Sequence, residues 1–267
     1  MSNGQIDNLY EFHPGQLPLV ISFPHSGDWI PEDLRSRMTS EGQASPDTDW
    51  FLPQLYRIQD LNDISTIIAR PSRYVVDLNR PPDDQSLYPG KLTTGLCPET
   101  TFAGQPIYLD ERPLAAEEIR QRADLYWQPY HQKLQQELER LVKIHGKVVL
   151  LDAHSIASRV PRLFEGNLPD FNMGTQHGAT CQPSMSARVS QFCQELSGYS
   201  YVDNGRFIGG YITRHYGRQS AVNSVQLELS QATYMDESEM SWLAEEADLV
   251  AREIHRLIKV LLDWSLH

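Results

Sequence analysis

The chain has 267 residues and a formal net charge of −12, with 40% hydrophobic and 22% charged side chains. That balance fits a folded globular protein rather than a disordered one, and the negative charge opposes nonspecific attraction to nucleic acid or to an anionic membrane. Cys97, Cys181 and Cys193 are odd in number and lack a Cys-x-x-Cys spacing, which argues against a disulfide framework and against a thiolate metal site.

The longest apolar stretches are of strand length, so no membrane span is expected. The first fifteen residues hold Asp7, Glu11, His13 and Pro14 without a basic or continuous apolar region, which predicts no secretory signal and a cytoplasmic location. The length suits one α/β domain over residues 1–267.

In chain order, the β-rich run at 19–23 reads as a buried strand that ends on Pro24-His25-Ser26-Gly27. Pro31 and the acids after it open a short helix. Asp47 and Asp49 stand in the opening turn of a helix carrying Phe51, Leu55 and Ile58. Two short strands follow at 65–69 and 74–78, the second running into Asp77-Leu78-Asn79-Arg80 before Pro81 and Pro82 force the chain out of the sheet.

Residues 81–113, rich in proline, glycine and threonine, read as a loop elaboration over the strand ends. A long helix over 114–145 is predicted to kink near Pro129 and to close at Gly146. The run 147–152 is the central strand and delivers Asp152-Ala153-His154-Ser155. Residues 156–183 form a second loop elaboration, and 185–196 a helix. Strands at 199–202 and 224–229 flank the polar segment 205–217, and a helix over 237–262 closes the chain. The predicted fold is α/β, with a mixed, mostly parallel sheet and helices on both faces.

Two strands ending on histidine are the strongest chemical signal. In an open α/β sheet ligands bind beyond the carboxyl ends of the strands, so His25 and His154 can converge on one divalent metal ion. Two imidazoles need a third, usually acidic, ligand if a position is to stay open for water. The candidates are Asp28, three residues after His25, and Asp47 or Asp49 at the next helix start, of which Asp49 is narrowly preferred and Asp28 is its rival by spacing; Asp152 can orient an imidazole. On the strand at 224–229, Gln226 and Glu228 share one face, and an internal carboxylate there requires a partner, a need met by a general base beside metal-bound water. Arg70, Arg73, Arg80, Arg206 and Arg214, with Asn79, form a clamp suited to a small anionic substrate. His215 has both a ligand-facing and a structural reading.

Taken together, Pro24-His25-Ser26-Gly27, Asp47-Thr48-Asp49-Trp50, the segment from Ser72 to Arg80, Asp152-Ala153-His154-Ser155, the segment from Gly209 to Gly217 and Gln226-Leu227-Glu228-Leu229 closely resemble the N-formylglutamate amidohydrolases over about residues 15–260. The resemblance implies hydrolysis of N-formyl-L-glutamate to formate and L-glutamate, the last step of one histidine-degradation route. It also implies a fold related to the zinc carboxypeptidases and to the aspartoacylase and succinylglutamate desuccinylase group. One zinc ion would then be held by His25, Asp49 and His154. Glu228 would be the base and Arg73 an oxyanion donor, with Asn79, Arg80 and Arg214 on the substrate carboxylates. The chain departs from the relatives' His-x-x-Glu pair, having Asp28 where a glutamate is expected, and this leaves Asp49 and Asp28 as alternatives for the third ligand.

Competing readings are a hydrolase of another N-acyl or formimino amino acid and a noncatalytic carboxylate-binding protein. Asp152-Ala153-His154 also resembles the dimanganese ureohydrolases, but Ser155 and Ile156 stand where further carboxylate is wanted. No Gly-x-Ser-x-Gly elbow supports a serine hydrolase. Oligomeric state is not legible.

Overall fold

The computed structural model describes residues 9–85, 94–110 and 112–267. Among them, seven strands form one sheet: β1 (Tyr10–His13), β2 (Leu19–Phe23), β3 (Ser65–Ala69), β4 (Val148–Ile156), β5 (Phe171–Gly174), β6 (Tyr201–Asp203) and β7 (Val222–Ser230). Their spatial order is β1-β3-β2-β4-β7-β5-β6. The pairings β2 with β3, β2 with β4, β4 with β7 and β5 with β6 are parallel, whereas β1 on β3 and β5 on β7 are antiparallel. Every residue of β2, β3, β4 and β7 is buried, as expected of strands covered on both faces.

The helices are α1 (Glu32–Arg35), α2 (Ser40–Ala44), α3 (Leu52–Leu55), α4 (Ala116–Arg122), α5 (Gln128–His145), α6 (Pro183–Gln194), α7 (Tyr211–Tyr216) and α8 (Ala244–Ser265). On one face Leu19, Ile21, Leu151, Val225 and Leu227 pack against apolar side chains of α3, α6 and α8. On the other, Val20, Ile67, Val148 and Leu150 meet Leu134, Leu138 and Leu141 of α5 and Ile212 of α7. Full burial of each such side chain contributes about 1.5–3 kcal/mol, so the two layers hold the sheet rigid beneath its carboxyl edge.

Alternation along the strands gives the α5 and α7 face two zones. Val148 and Leu150 are followed on the same face of β4 by Asp152, His154 and Ile156. In register beside them on β7 stand Gln226, Glu228 and Ser230. The face is therefore apolar at its base and mostly polar and titratable toward its edge.

Several elements differ from the sequence reading. Residues 74–78 form turns rather than a strand, because local bonds satisfy the backbone: Val75 N–H donates to Ser72 O at 2.9 Å and Asn79 N–H to Asp77 Oδ1 at 2.9 Å. The segment 156–183 contains β5, which pairs with β7 over four residues. The closing helix starts at Ala244 instead of 237, since β8 (Met235–Asp236) and β9 (Ser241–Trp242) first pair as a small antiparallel ribbon. The kink predicted near Pro129 is a π-helical turn over Ala123–Trp127, immediately before α5. It accommodates a proline that has no N–H and crowds the carbonyl four residues back. Part of the 81–113 elaboration, residues 86–93 and 111, lies outside the described residues.

Candidate active site

His25 leaves the end of β2 through a turn that only glycine permits, since a Cβ on Gly27 would lie 2.3 Å from the Arg70 carbonyl oxygen. The Asp49 N–H donates to the His25 carbonyl at 3.0 Å, which ties the turn before α3 to the end of β2. His154 arrives on β4. The result brings His25, Asp49 and His154 together in the interior, with one potential ligand atom from each lying within 4.8 Å of the others. Asp49 Oδ2 is 3.3 Å from His154 Nδ1 and 3.9 Å from His25 Nδ1.

Each imidazole turns its other nitrogen to a further carboxylate. His25 Nε2 is 2.7 Å from Asp77 Oδ1, and His154 Nε2 is 3.1 Å from Asp152 Oδ2. Carboxylate-to-imidazole pairing of this kind fixes ring orientation and raises ligand basicity. Asp77 also accepts from the Arg73 guanidinium at 3.0 Å, and Thr213 Oγ1 donates to Asp152 at 3.1 Å. Burial works against the Asp77 charge, yet the neighbouring His25 and Arg73 hold its carboxyl well below the usual range. Burial, then the Arg73 charge, lowers His25. At His154 burial also opposes the charged form, but the Asp152 carboxylate outweighs it and raises the group.

Asp49, Asp77, Asp152 and Glu228 are all buried, and the buried guanidinium that pairs with Asp77 and lies near Asp49 is that of Arg73. Asp49 Oδ1 and Asp152 Oδ1 have no hydrogen-bond partner. Uncompensated buried carboxylates are costly, so the donor set and its orphaned oxygens fit a cation of the hard or borderline type that imidazole and carboxylate prefer. Asp28 is exposed and lines a separate surface groove with Trp29 and Arg70, away from this cluster.

Beside the cluster, a cavity is lined by His25, Arg73, Asn79, Arg80, His154, Gln226 and Glu228 on its polar side and by Phe102, Ile156, Leu163 and Phe207 on its apolar side. Glu228 stands opposite His154 in the β4 and β7 register, and its Oε2 accepts from Gln226 Nε2 at 3.2 Å. Burial pushes its carboxyl up to about 8. Arg80 lines the cavity with its Nε on the Thr94 carbonyl at 2.9 Å.

Asn79 also lines the cavity, although its amide is engaged: Oδ1 accepts from Ile212 N–H at 2.8 Å, and Nδ2 is 2.9 Å from His154 Nε2 and 3.4 Å from Asp152 Oδ2. Gly210 makes this approach possible, because a Cβ there would lie 2.3 Å from Asn79 Nδ2.

Arg214 does not line the cavity; its Nε donates to the Gly209 carbonyl at 2.8 Å. Arg206 does line it, anchored by Nε on the Leu163 carbonyl at 2.8 Å. His215 is exposed and stacks on Tyr211 at 4.9 Å, outside that lining. Neither Asp77 nor the apolar wall is among the site residues expected from the sequence. The Asp-x-Asn-Arg spacing after Arg73 was the available signal for Asp77, whereas the wall is assembled from loops whose approach no local pattern encodes.

The N-formylglutamate amidohydrolase family model matches residues 17–235. The N-formylglutamate deformylase of Pseudomonas putida is 45% identical over 262 residues, covering 97% of this chain and 98% of the relative. That of Pseudomonas aeruginosa is 46% identical over 263 residues, covering 97% and 98%. Among solved structures, an N-formylglutamate amidohydrolase from Ralstonia eutropha superposes with a TM-score of 0.80 at 26% identity, covering 96% of this chain and 98% of the other. A gene product of Agrobacterium tumefaciens shares the fold, with a TM-score of 0.71 at 13% identity over 96% and 97% of the two chains. The end-to-end coverage and the clustering of the family motifs around one cavity lead to the same conclusion: the chain belongs to the N-formylglutamate amidohydrolase family.

Proposed function

We propose that this protein hydrolyses N-formyl-L-glutamate to L-glutamate and formate, with one divalent metal ion held by His25, Asp49 and His154. The observation that carries this reading is the convergence of those three side chains beside a cavity that also presents Glu228 and several guanidinium groups. Zinc suits two imidazoles and a carboxylate, and when bound it supplies Lewis-acid polarisation and acidifies a water.

In this reading Glu228 takes a proton from the water whose oxygen adds to the formyl carbon. It later gives that proton to the glutamate nitrogen as the carbon–nitrogen bond breaks. Its burial favours the protonated form, which suits the second half of that exchange. Arg73, held toward the cavity by Asp77, donates to the oxygen on which negative charge develops. Arg80 and Arg206 bind the two carboxylates of the glutamate moiety; Asn79 shapes the wall between them and the histidines. Arg214 fastens the Gly209 turn. This reaction is the last step of one histidine-degradation route.

The test is formate release from N-formyl-L-glutamate by the purified protein, before chelation, after it, and after zinc is restored, with N-acetyl-L-glutamate in parallel. Metal-dependent release from the formyl compound supports the reading. No release by folded, zinc-loaded protein overturns it in favour of another acyl-amino acid or of carboxylate binding without turnover.

A further inference from the structure

A second cavity adjoins the first. It measures about 240 Å³, against about 80 Å³ for the cavity beside the histidines. Phe102 and Ile156 line both. Ile156 is the next side chain beyond His154 on the same face of β4, so it flanks the position where the proposed scissile carbonyl would lie. Phe102 is fixed twice, by its N–H on Asp47 Oδ2 at 2.8 Å and by the Arg73 guanidinium 4.6 Å above its ring. Ile156, Val160 and Leu168 form a small apolar cluster onto which Phe102, Leu163 and Phe207 pack, so the partition is a well-supported wall rather than loose side chains. Beyond it, Trp50, Ala157, Val160, Pro161, Met235 and Met240 give the second cavity a mostly apolar lining, with charges of both signs at its margin from Asp47, Glu237 and Arg159.

We propose that Ile156 and Phe102 set the acyl-group limit of this site by closing it off from the adjoining cavity, and that opening the wall admits linear aliphatic acyl groups. The proposal rests on the deformylase reading for which end of the substrate faces the wall. A one-carbon acyl group stops at Ile156. A longer chain collides with it unless the side chain is shortened, whereupon its methylenes pass into the second cavity.

The experiment compares zinc-loaded wild type with Ile156→Ala and the milder Ile156→Val. Glutamate release from N-formyl- and N-butyryl-L-glutamate is measured, and binding of both compounds is measured by calorimetry. Shortening Ile156 is expected to raise the butyryl-to-formyl ratio in kcat/KM and in affinity by about tenfold or more for the alanine and less for the valine, the scale set by methylenes in an apolar pocket.

Adding Ala157→Leu to Ile156→Ala refills the second cavity and is expected to abolish the gain. Unchanged ratios in folded Ile156 variants overturn the proposal, as does a gain that survives Ala157→Leu. Failure of the deformylase reading is seen separately, as no glutamate release by wild type from the formyl compound, and the calorimetric ratios then judge the wall by themselves.

Discussion

Asp77 Oδ1 lies 2.7 Å from His25 Nε2, which leaves Nδ1 of the same ring facing Asp49. Because Asp77 is fully buried and held in its charged form by His25 and Arg73, it fixes both the tautomer and the rotation of a proposed metal ligand. Replacing Asp77 by Asn keeps the shape and removes the charge. Asp77→Asn is expected to weaken zinc affinity about 10- to 100-fold, measured by competition with a chromogenic chelator. Unchanged affinity would assign the carboxylate to Arg73 alone.

Glu228 provides a contrast, since it stands in the cavity without being one of the three clustered groups. Glu228→Gln should preserve metal stoichiometry while lowering kcat by about 10²- to 10⁴-fold, the range for loss of a positioned acid or base. Metal analysis and single-turnover kinetics on the same preparation check both halves. Full activity would remove Glu228 from the proton path.

The anion clamp predicts a separation of roles. Arg206 lines the cavity, whereas Arg214 holds the Gly209 carbonyl. Arg206→Ala should therefore raise KM about tenfold or more with a smaller change in kcat, consistent with about 1.5–3 kcal/mol for a charged hydrogen bond. Arg214→Ala should act mainly on thermal stability. Steady-state kinetics and melting curves of the two variants decide this, and equal KM effects would refute the division.

Much of this arrangement is legible in the sequence, for a physical reason. His25, His154 and Glu228 sit at or near the ends of short apolar runs, and such runs form buried strands whose carboxyl ends share one edge. Asp49 was separable from Asp47 only by a narrow preference, because both occupy one turn; in space Asp47 instead accepts from the Tyr74 hydroxyl at 2.6 Å and from Phe102 N–H. The sequence reading puts Arg214 on the substrate carboxylates, whereas Arg206 is the one of the two that lines the cavity, because loop geometry and no local pattern decides which guanidinium reaches it. β5 is not legible as a strand because Asn172 and Gly174 weaken its pattern, and its pairing with β7 stabilises it nonetheless.

Behind the catalytic edge, His131 of α5 is buried with Nε2 2.9 Å from the Leu78 carbonyl and Nδ1 2.9 Å from the Tyr216 hydroxyl, beside the backbone that carries Asn79 and Arg80. Burial lowers its pKa to about 3. Between that value and about 6.5, the ordinary value of an exposed imidazole, the unfolded chain binds a proton at His131 that the folded chain does not. Stability is therefore retained above this window and lost as pH falls through it, by up to about 1.4 kcal/mol per pH unit from this group. His131→Gln keeps a donor for Leu78 but cannot titrate. Relative to wild type, its unfolding free energy should fall less steeply between about pH 6.5 and 4, and the two curves should converge or cross on acidification. Parallel urea titrations across that range provide the check; parallel curves would show that His131 ionises as readily in the folded protein as in the unfolded chain.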